Sequence, residues 1–323
     1  MKRSLQFALV LAAFAATPLF AAKNDALSLV PANAVSVGVV KLSEMRSSPL
    51  SSFLFQHTDN ISTNGEGDKF LAETGLDPKK DIDTLVVAAS PQTTFGKDAD
   101  VLVAAEGRFN AARLTAAVVS HGAIKKTASN RAYYLIDKKE DSGKAGAVAF
   151  ISDKLVVAGN EDSVVNALAA YAAGGTTFLG ASALGHDTAR IDPGATAWAI
   201  VDVTRAKRLT ESGPKTSAND KQGAINAAIK HVSTVGMWAT DAGDQLKLNA
   251  FGLTNDADTL QLIEDTLRGG LAALRLAVQE KQPDMVSVLR RFDVSRTDGA
   301  VTVSGSIPAD ALRKLAAKKT ASK

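Results

Sequence analysis

Four blocks of this sequence recur in the same order, and that recurrence limits the fold more than any single motif does. Pro193–Thr204 (PGATAWAIVDVT) lines up with Pro31–Ser43 (PANAVSVGVVKLS) after one gap. Ser233–Thr240 lies against Asp83–Ser90, Leu246–Leu260 against Val101–Leu114, and Ala300–Leu312 against Lys154–Leu168. In the third block both copies pass from a strand pattern through an asparagine, Asn110 or Asn255, into a helix pattern. An offset of about 145 to 162 residues is too long for a solenoid repeat and fits two tandem domains. The expected organisation is a first α+β copy over 23–175, a connector over 176–192, a second copy over 193–315 and a basic tail over 316–323.

Within each copy the periodicity alternates between strand and helix. Val35–Leu42 (VSVGVVKL) reads as a buried strand entered through Pro31-Ala32-Asn33. Asp83–Ser90, Asp100–Gly107, Arg131–Ile136, Gly146–Ile151 and Leu155–Ala158 read as further strands, several separated only by turns. Asp298-Gly299, between Val286–Arg296 and Ala300–Ser304, is a hairpin signal. The sheets are therefore expected to be mostly antiparallel with helices on one face: an α+β fold of two similar lobes. Tyr133 and Tyr134 must point to opposite faces, which leaves one of them exposed on this reading. A helix from Asp256 to about Glu280 carries Leu260, Ile263, Leu267, Leu271 and Leu274 at spacings of three and four. Gly269-Gly270 in its middle each cost about 1 kcal/mol relative to Ala, and close packing against a neighbour is the expected reason.

The first 22 residues read as a secretory signal peptide: Lys2 and Arg3, an uncharged run Leu5–Ala16, then Thr17-Pro18 and small residues at Ala21-Ala22. The run is shorter than the roughly 20 residues that span a bilayer. The chain is thus expected to be exported, with a periplasmic or secreted location and no membrane span after cleavage. It has no cysteine, which excludes disulfides and lipid attachment through an N-terminal cysteine. Net charge is +3, or +1 without Lys2 and Arg3, so bulk charge does not attract nucleic acid. With 46% hydrophobic and 22% charged residues the composition is that of an ordinary globular protein.

Reactive groups are sparse. His57, His121, His186 and His231 stand apart, without the spacing that puts two imidazoles on one helix face. His121 reads as a helix-end cap, and His186-Asp187 is the one histidine beside a carboxylate. The loop Asn60–Leu71 places Asn60, Ser62, Asn64 and Asp68 at the first, third, fifth and ninth positions of a calcium loop. Its twelfth position is Leu71 instead of a bidentate carboxylate, so these residues read as a polar loop and no metal is expected. Ser212-Gly-Pro-Lys215 has Ser-x-x-Lys spacing, but Pro214 breaks the helix the motif requires. Gly180–Gly185 misses the nucleophile-elbow spacing by one residue, and no dinucleotide or phosphate-loop fingerprint implies a cofactor. Trp198 and Trp238 occupy matching early strands and read as core.

Leu29-Val30-Pro31-Ala32 before the first strand, Ser48-Pro49-Leu50, Thr74-Gly75-Leu76-Asp77-Pro78 and Gly107-Arg108-Phe109 with Arg113-Leu114 form a pattern. By it the chain resembles a loosely defined group of uncharacterised exported bacterial proteins. The resemblance covers mainly the first copy, consists of turns, caps and core positions, and implies no activity. The function expected from the residues is non-catalytic: binding of a small ligand or an envelope protein in a groove between the lobes, or a scaffold role. An envelope hydrolase with carboxylates or a serine gathered in one cleft is the alternative from the enzyme class. A structural protein assembling through an apolar patch or strand edge is the third.

Overall fold

The computed structural model describes residues 25–48, 50, 66–91, 99–136, 145–174, 177–210, 231–279, 283–297 and 299–314. A 3-10 turn at Ala26–Leu29 precedes β1 (Ser36–Lys41) and α1 (Leu42–Ser47). Then come α2 (Glu66–Thr74), α3 (Pro78–Asp81), β2 (Ile82–Pro91), β3 (Ala99–Gly107) and α4 (Ala111–Ser120). A meander follows of β4 (Ile124–Ala128), β5 (Arg131–Ile136), β6 (Gly146–Ser152) and β7 (Leu155–Asn160), closed by α5 (Glu161–Ala172). The connector folds as α6 (Thr177–Ala181), α7 (Ala183–Asp187) and a second 3-10 turn, Thr188–Arg190. The remainder is β8 (Ala197–Asp202), α8 (Val203–Thr210), β9 (Thr234–Asp241), β10 (Gln245–Leu253), α9 (Ala257–Gln279), α10 (Pro283–Leu289), β11 (Asp293–Thr297) and β12 (Ala300–Pro308).

These strands form one sheet in the order β11-β12-β10-β9-β8-β1-β2-β3-β7-β6-β5-β4. Every pairing is antiparallel. At its centre β1 pairs with β8, from Ser36 opposite Val201 to Val40 opposite Ala197. The backbone continues the seam, with Lys41 N donating to Thr196 O and Asp202 N to Val35 O, each at 2.8 Å. The order outward from the seam is β1-β2-β3-β7-β6 in one direction and β8-β9-β10-β12-β11 in the other. The α+β class and antiparallel pairing agree with the sequence, and the sheet is continuous across both halves.

Helices lie on both faces of the sheet, not on one. Val37, Val86, Ala104, Val157, Ala149, Tyr133 and Ile200 point into a core with α5, the first 3-10 turn and the connector, whose Phe178 is 1% exposed. On the second face Val118 of α4 packs with Tyr134 and Val148, and Leu260 and Ile263 of α9 pack with Val294 and Val301. Both adjacent tyrosines are therefore buried, because α5 covers one face of β5 and α4 the other. Tyr133 finds a partner for its hydroxyl, which donates to Glu161 Oε1 at 2.7 Å while Lys126 Nζ donates to the same oxygen at 2.8 Å. The bond to Glu161 pushes Tyr133 up to about 12, and the Lys126 and Tyr133 donors hold Glu161 below the usual carboxylate range.

Caps fix the helix starts. Asn110 accepts from Arg113 N and Asn160 from Ser163 N, both at 2.9 Å. At α9 the cap is Asp256, which accepts from Asp258 N at 3.1 Å, and not Asn255. Residues 286–289, read as strand, belong to α10, because Met285, Val286, Val288 and Leu289 also satisfy a helical period. The hairpin turns at Gly299 (φ +73°), with Thr297 opposite Ala300.

Among the described residues no close neighbour stands at Gly269-Gly270: α9 runs unbroken from Ala257 to Gln279, and a Cβ at either glycine would meet none of them within 4 Å. Gly269→Ala and Gly270→Ala are each expected to stabilise the chain by about 1 kcal/mol, the helix-propensity difference alone. Urea unfolding of the single and double variants checks this; a loss of stability would show that something covers that face.

Candidate functional site

Antiparallel pairing puts directly opposed residues on the same face. One cross-strand row on the second face therefore reads Val103–Val87–Gly38–Ala199–Met237–Ala250–Val303. A neighbouring row reads Val101–Ala89–Ser36–Val201–Val235–Gly252–Val301. Both are apolar almost throughout. The flanking helices lie mainly over the outer strands: α4 packs against β5 and β6, and α9 against β11 and β12, with its inner side also meeting Val235 of β9. Between them Val87, Val101 and Met237 are 41%, 47% and 52% exposed. At about 4.8 Å per strand, the five strands from β3 to β9 make a floor roughly 20 Å across. Among the described residues this open stretch straddles the β1–β8 seam.

Under the flanking helix α9 the same face holds a cavity of about 240 Å³. Ala250 and Gly252 of β10 form its floor, Val235 on one side and Val301 and Val303 on the other its walls, and Ile263 and Leu267 its roof. The polar side chain in the lining is Thr266, whose hydroxyl donates to Leu262 O at 2.7 Å within the helix and is thereby satisfied. The cavity exists because β10 carries small residues where it faces a helix. A Cβ added to Gly252 would meet Val232 at 3.5 Å, an ordinary contact, so nothing in the backbone requires glycine there.

The sequence-level candidates do not converge on either feature. Asn60, Ser62 and Asn64 lie outside the described residues, and Asp68 falls within α2, so the seventh to twelfth positions of the would-be calcium loop are helical. Ser212, Lys215 and His57 also lie outside them. Ser182 is a buried N-cap, donating to Phe178 O at 2.7 Å and accepting from Gly185 N at 2.8 Å, which leaves no free nucleophile. His186 is exposed, while its neighbour Asp187 accepts from Thr234 at 3.0 Å. His121 caps α4 and meets Glu73 at 2.9 Å, as a helix-end role implies. Trp198 and Trp238 stand opposite each other on the packed face, against the core.

Carboxylates gather near the C-terminal end of β3. Glu106 accepts from Ala26 N and holds the 3-10 turn in which Ala26 and Leu29 are fully buried. Burial pushes Glu106 above the usual carboxylate range; the Ala26 amide opposes this, and Asp25 and Asp83 add to it. Asp83 is paired with Arg46, which also donates to Ile82 O at 2.6 Å. The group clamps the start of the described chain onto the sheet.

No protein-family model and no curated protein matches the chain. Solved structures share its fold. Crystal form III of TP0453 has a TM-score of 0.50 at 10% identity, covering 89% of this chain and 96% of that one. Crystal form IV of the same protein gives 0.47 at 11% identity, covering 93% and 99%.

Neutralising Glu106 tests the clamp. A raised folded-state value means the folded chain keeps its proton to higher pH than the unfolded chain, so stability falls as pH rises from about 4.5 through that value. Glu106→Gln, whose amide oxygen still accepts from Ala26 N, is expected to match the parent at pH 4 and to be more stable at pH 8. Thermal melts at both pH values check this; a variant less stable at pH 8 would mean the ionised carboxylate is needed.

Proposed function

We propose that this chain is an exported, soluble cell-envelope protein with a non-catalytic binding role, and that the open apolar face over the seam receives an apolar ligand or partner surface. The observation that carries this reading is the apolar row from Val103 to Met237, exposed at Val87 and Met237 in the middle of an otherwise packed sheet. Exposed contiguous apolar surface of this kind marks interaction sites in soluble proteins. The groove expected between two lobes corresponds to this floor, flanked by α4 on one side and α9 on the other.

The matching strand order outward from the seam supports reading the two halves as tandem copies, each contributing its first strand to the junction. The lining of floor and cavity favours binding over hydrolysis, since it is mostly apolar and holds no carboxylate or histidine among the described residues, while the perturbed Glu106 is engaged in holding the 3-10 turn. The outer edges favour binding over strand-edge assembly. The edge strand β4 is short and carries Lys125 and Lys126, and β11 carries Asp293 and Arg296, which are charges that oppose edge-to-edge pairing.

The absence of native cysteine makes single-cysteine labelling unambiguous. In the refolded, occupant-free chain, Val87→Cys and Met237→Cys are expected to react with a maleimide dye roughly tenfold or more faster than Ile200→Cys on the packed face, because thiol reactivity follows access. In protein purified gently from its own envelope the first two are expected to be protected, with the extra mass visible by native mass spectrometry. Rates equal in both preparations would overturn the binding reading.

A further inference from the structure

We infer that the cavity beneath α9 is a binding site for a single unbranched aliphatic chain of about ten carbons, the acyl chain of a fatty acid or of a lipid. This goes beyond docking on the open face, because it assigns a separate, partly open site beneath a helix and a ligand class, and it stands whether or not a partner occupies the floor.

Volume sets the size of the guest. An apolar cavity of about 150 Å³ stays dry and takes benzene, six carbons, so on that scale 240 Å³ accommodates roughly ten. Shape favours a chain over a compact ring. The floor residues Ala250 and Gly252 follow each other on one face of β10, about 6.6 Å apart. Ile263 and Leu267 lie one helical turn apart above them. Valines on both neighbouring strands turn this space into a trough along the strand. Chemistry excludes a polar guest: Thr266 spends its hydroxyl inside the helix, and no other polar side chain faces the space among the described lining residues. A polar molecule there would lose its water without regaining hydrogen bonds, at a cost of roughly 2–7 kcal/mol per group.

The trough also has an approach. Ala250 is paired with Met237, which is 52% exposed, so the cavity floor continues along one cross-strand row into the open face. Methionine is flexible and polarisable, suited to flank an entry that a chain slides past. An acyl chain lying from the floor into the trough would leave its head group outside, over the open strands.

Titration with cis-parinaric acid, a fluorescent fatty acid, tests the inference. The delipidated full-length chain is expected to bind it with one-to-one stoichiometry and to release it to decanoic acid. Ala250→Leu and Gly252→Val, which place side-chain atoms into the trough, are expected to weaken binding at least tenfold while thermal stability holds or rises. Gly252→Ala, which the backbone tolerates, is expected to retain most of the affinity. Displacement by decanoic acid assigns a free fatty acid as guest; displacement only by phospholipid vesicles assigns a lipid chain. Undiminished binding in both filled variants, or a chain that takes benzene but neither fatty acid nor lipid, overturns the proposal. Failure of the cysteine-protection experiment would leave this result intact, since it reads a different surface.

Discussion

The pairing of β1 with β8 is the constraint on which the rest of the molecule depends. Each strand is apolar on both faces and would be an exposed edge in a half standing alone, with a row of unpaired amides and carbonyls. Joined antiparallel, each closes the other's edge, and the sheet's free edges move outward to β4 and β11, where short charged strands can sit in water. The halves therefore share backbone hydrogen bonds, not merely side-chain contact, and are expected to unfold together. Arg205, which donates to Asn33 O across the seam at 2.6 Å, and Lys41, which donates to Pro193 O at 3.1 Å, tie the ends of the two strands.

Closing the seam creates a sheet with two apolar faces that are covered differently. The packed face draws on three separate stretches of chain: the first 3-10 turn, α5 and the connector, whose Phe178 and Leu184 fill the space opposite Ile200 and Val37. That explains why a segment rich in Gly, Ala and Thr is no free linker. The second face is covered at its flanks by the helices that follow β3 and β10, equivalent positions in the two halves. Those helices sit over the outer strands because on that side the chain crosses from β3 to the edge strand β4, and from β10 to the edge strand β11. The strands at the seam are left without a helix of comparable length among the described residues.

Much of this was legible in the sequence. Most strand positions and the cap Asn110 follow from period and turn chemistry, which are local. Period alone predicts helices on one face and one tyrosine in water, where the structure has helices on both faces and both tyrosines buried. The error has a single cause: alternation reports which side chains share a face, not what covers it, and coverage is decided by segments distant in sequence. The swap of strand for helix at Met285–Leu289 is of another kind, because four apolar residues in a short stretch satisfy both periods. The cavity was not legible at all. Its signal is the smallness of Ala250 and Gly252 opposite Ile263 and Leu267, which only the pairing of β10 beneath α9 brings together.

That smallness argues for use. Interiors are normally filled to crystal-like density, and a void of this size costs stability that leucine or valine at either position would restore. Small residues recur along the row: Gly38 and Ala199 at the seam, then Ala250 beyond the flexible Met237, present a shallow apolar track between the flanking helices. A sheet under selection for stability alone would place large aliphatics there, as it does at Val37, Val86 and Ile200 on the packed face. The packed face is thus filled by other parts of the chain, whereas on the second face an apolar row runs from the seam into the trough. On the proposed binding reading a guest supplies the missing contacts, and the track suits an aliphatic chain better than a folded partner, which would need relief to grip.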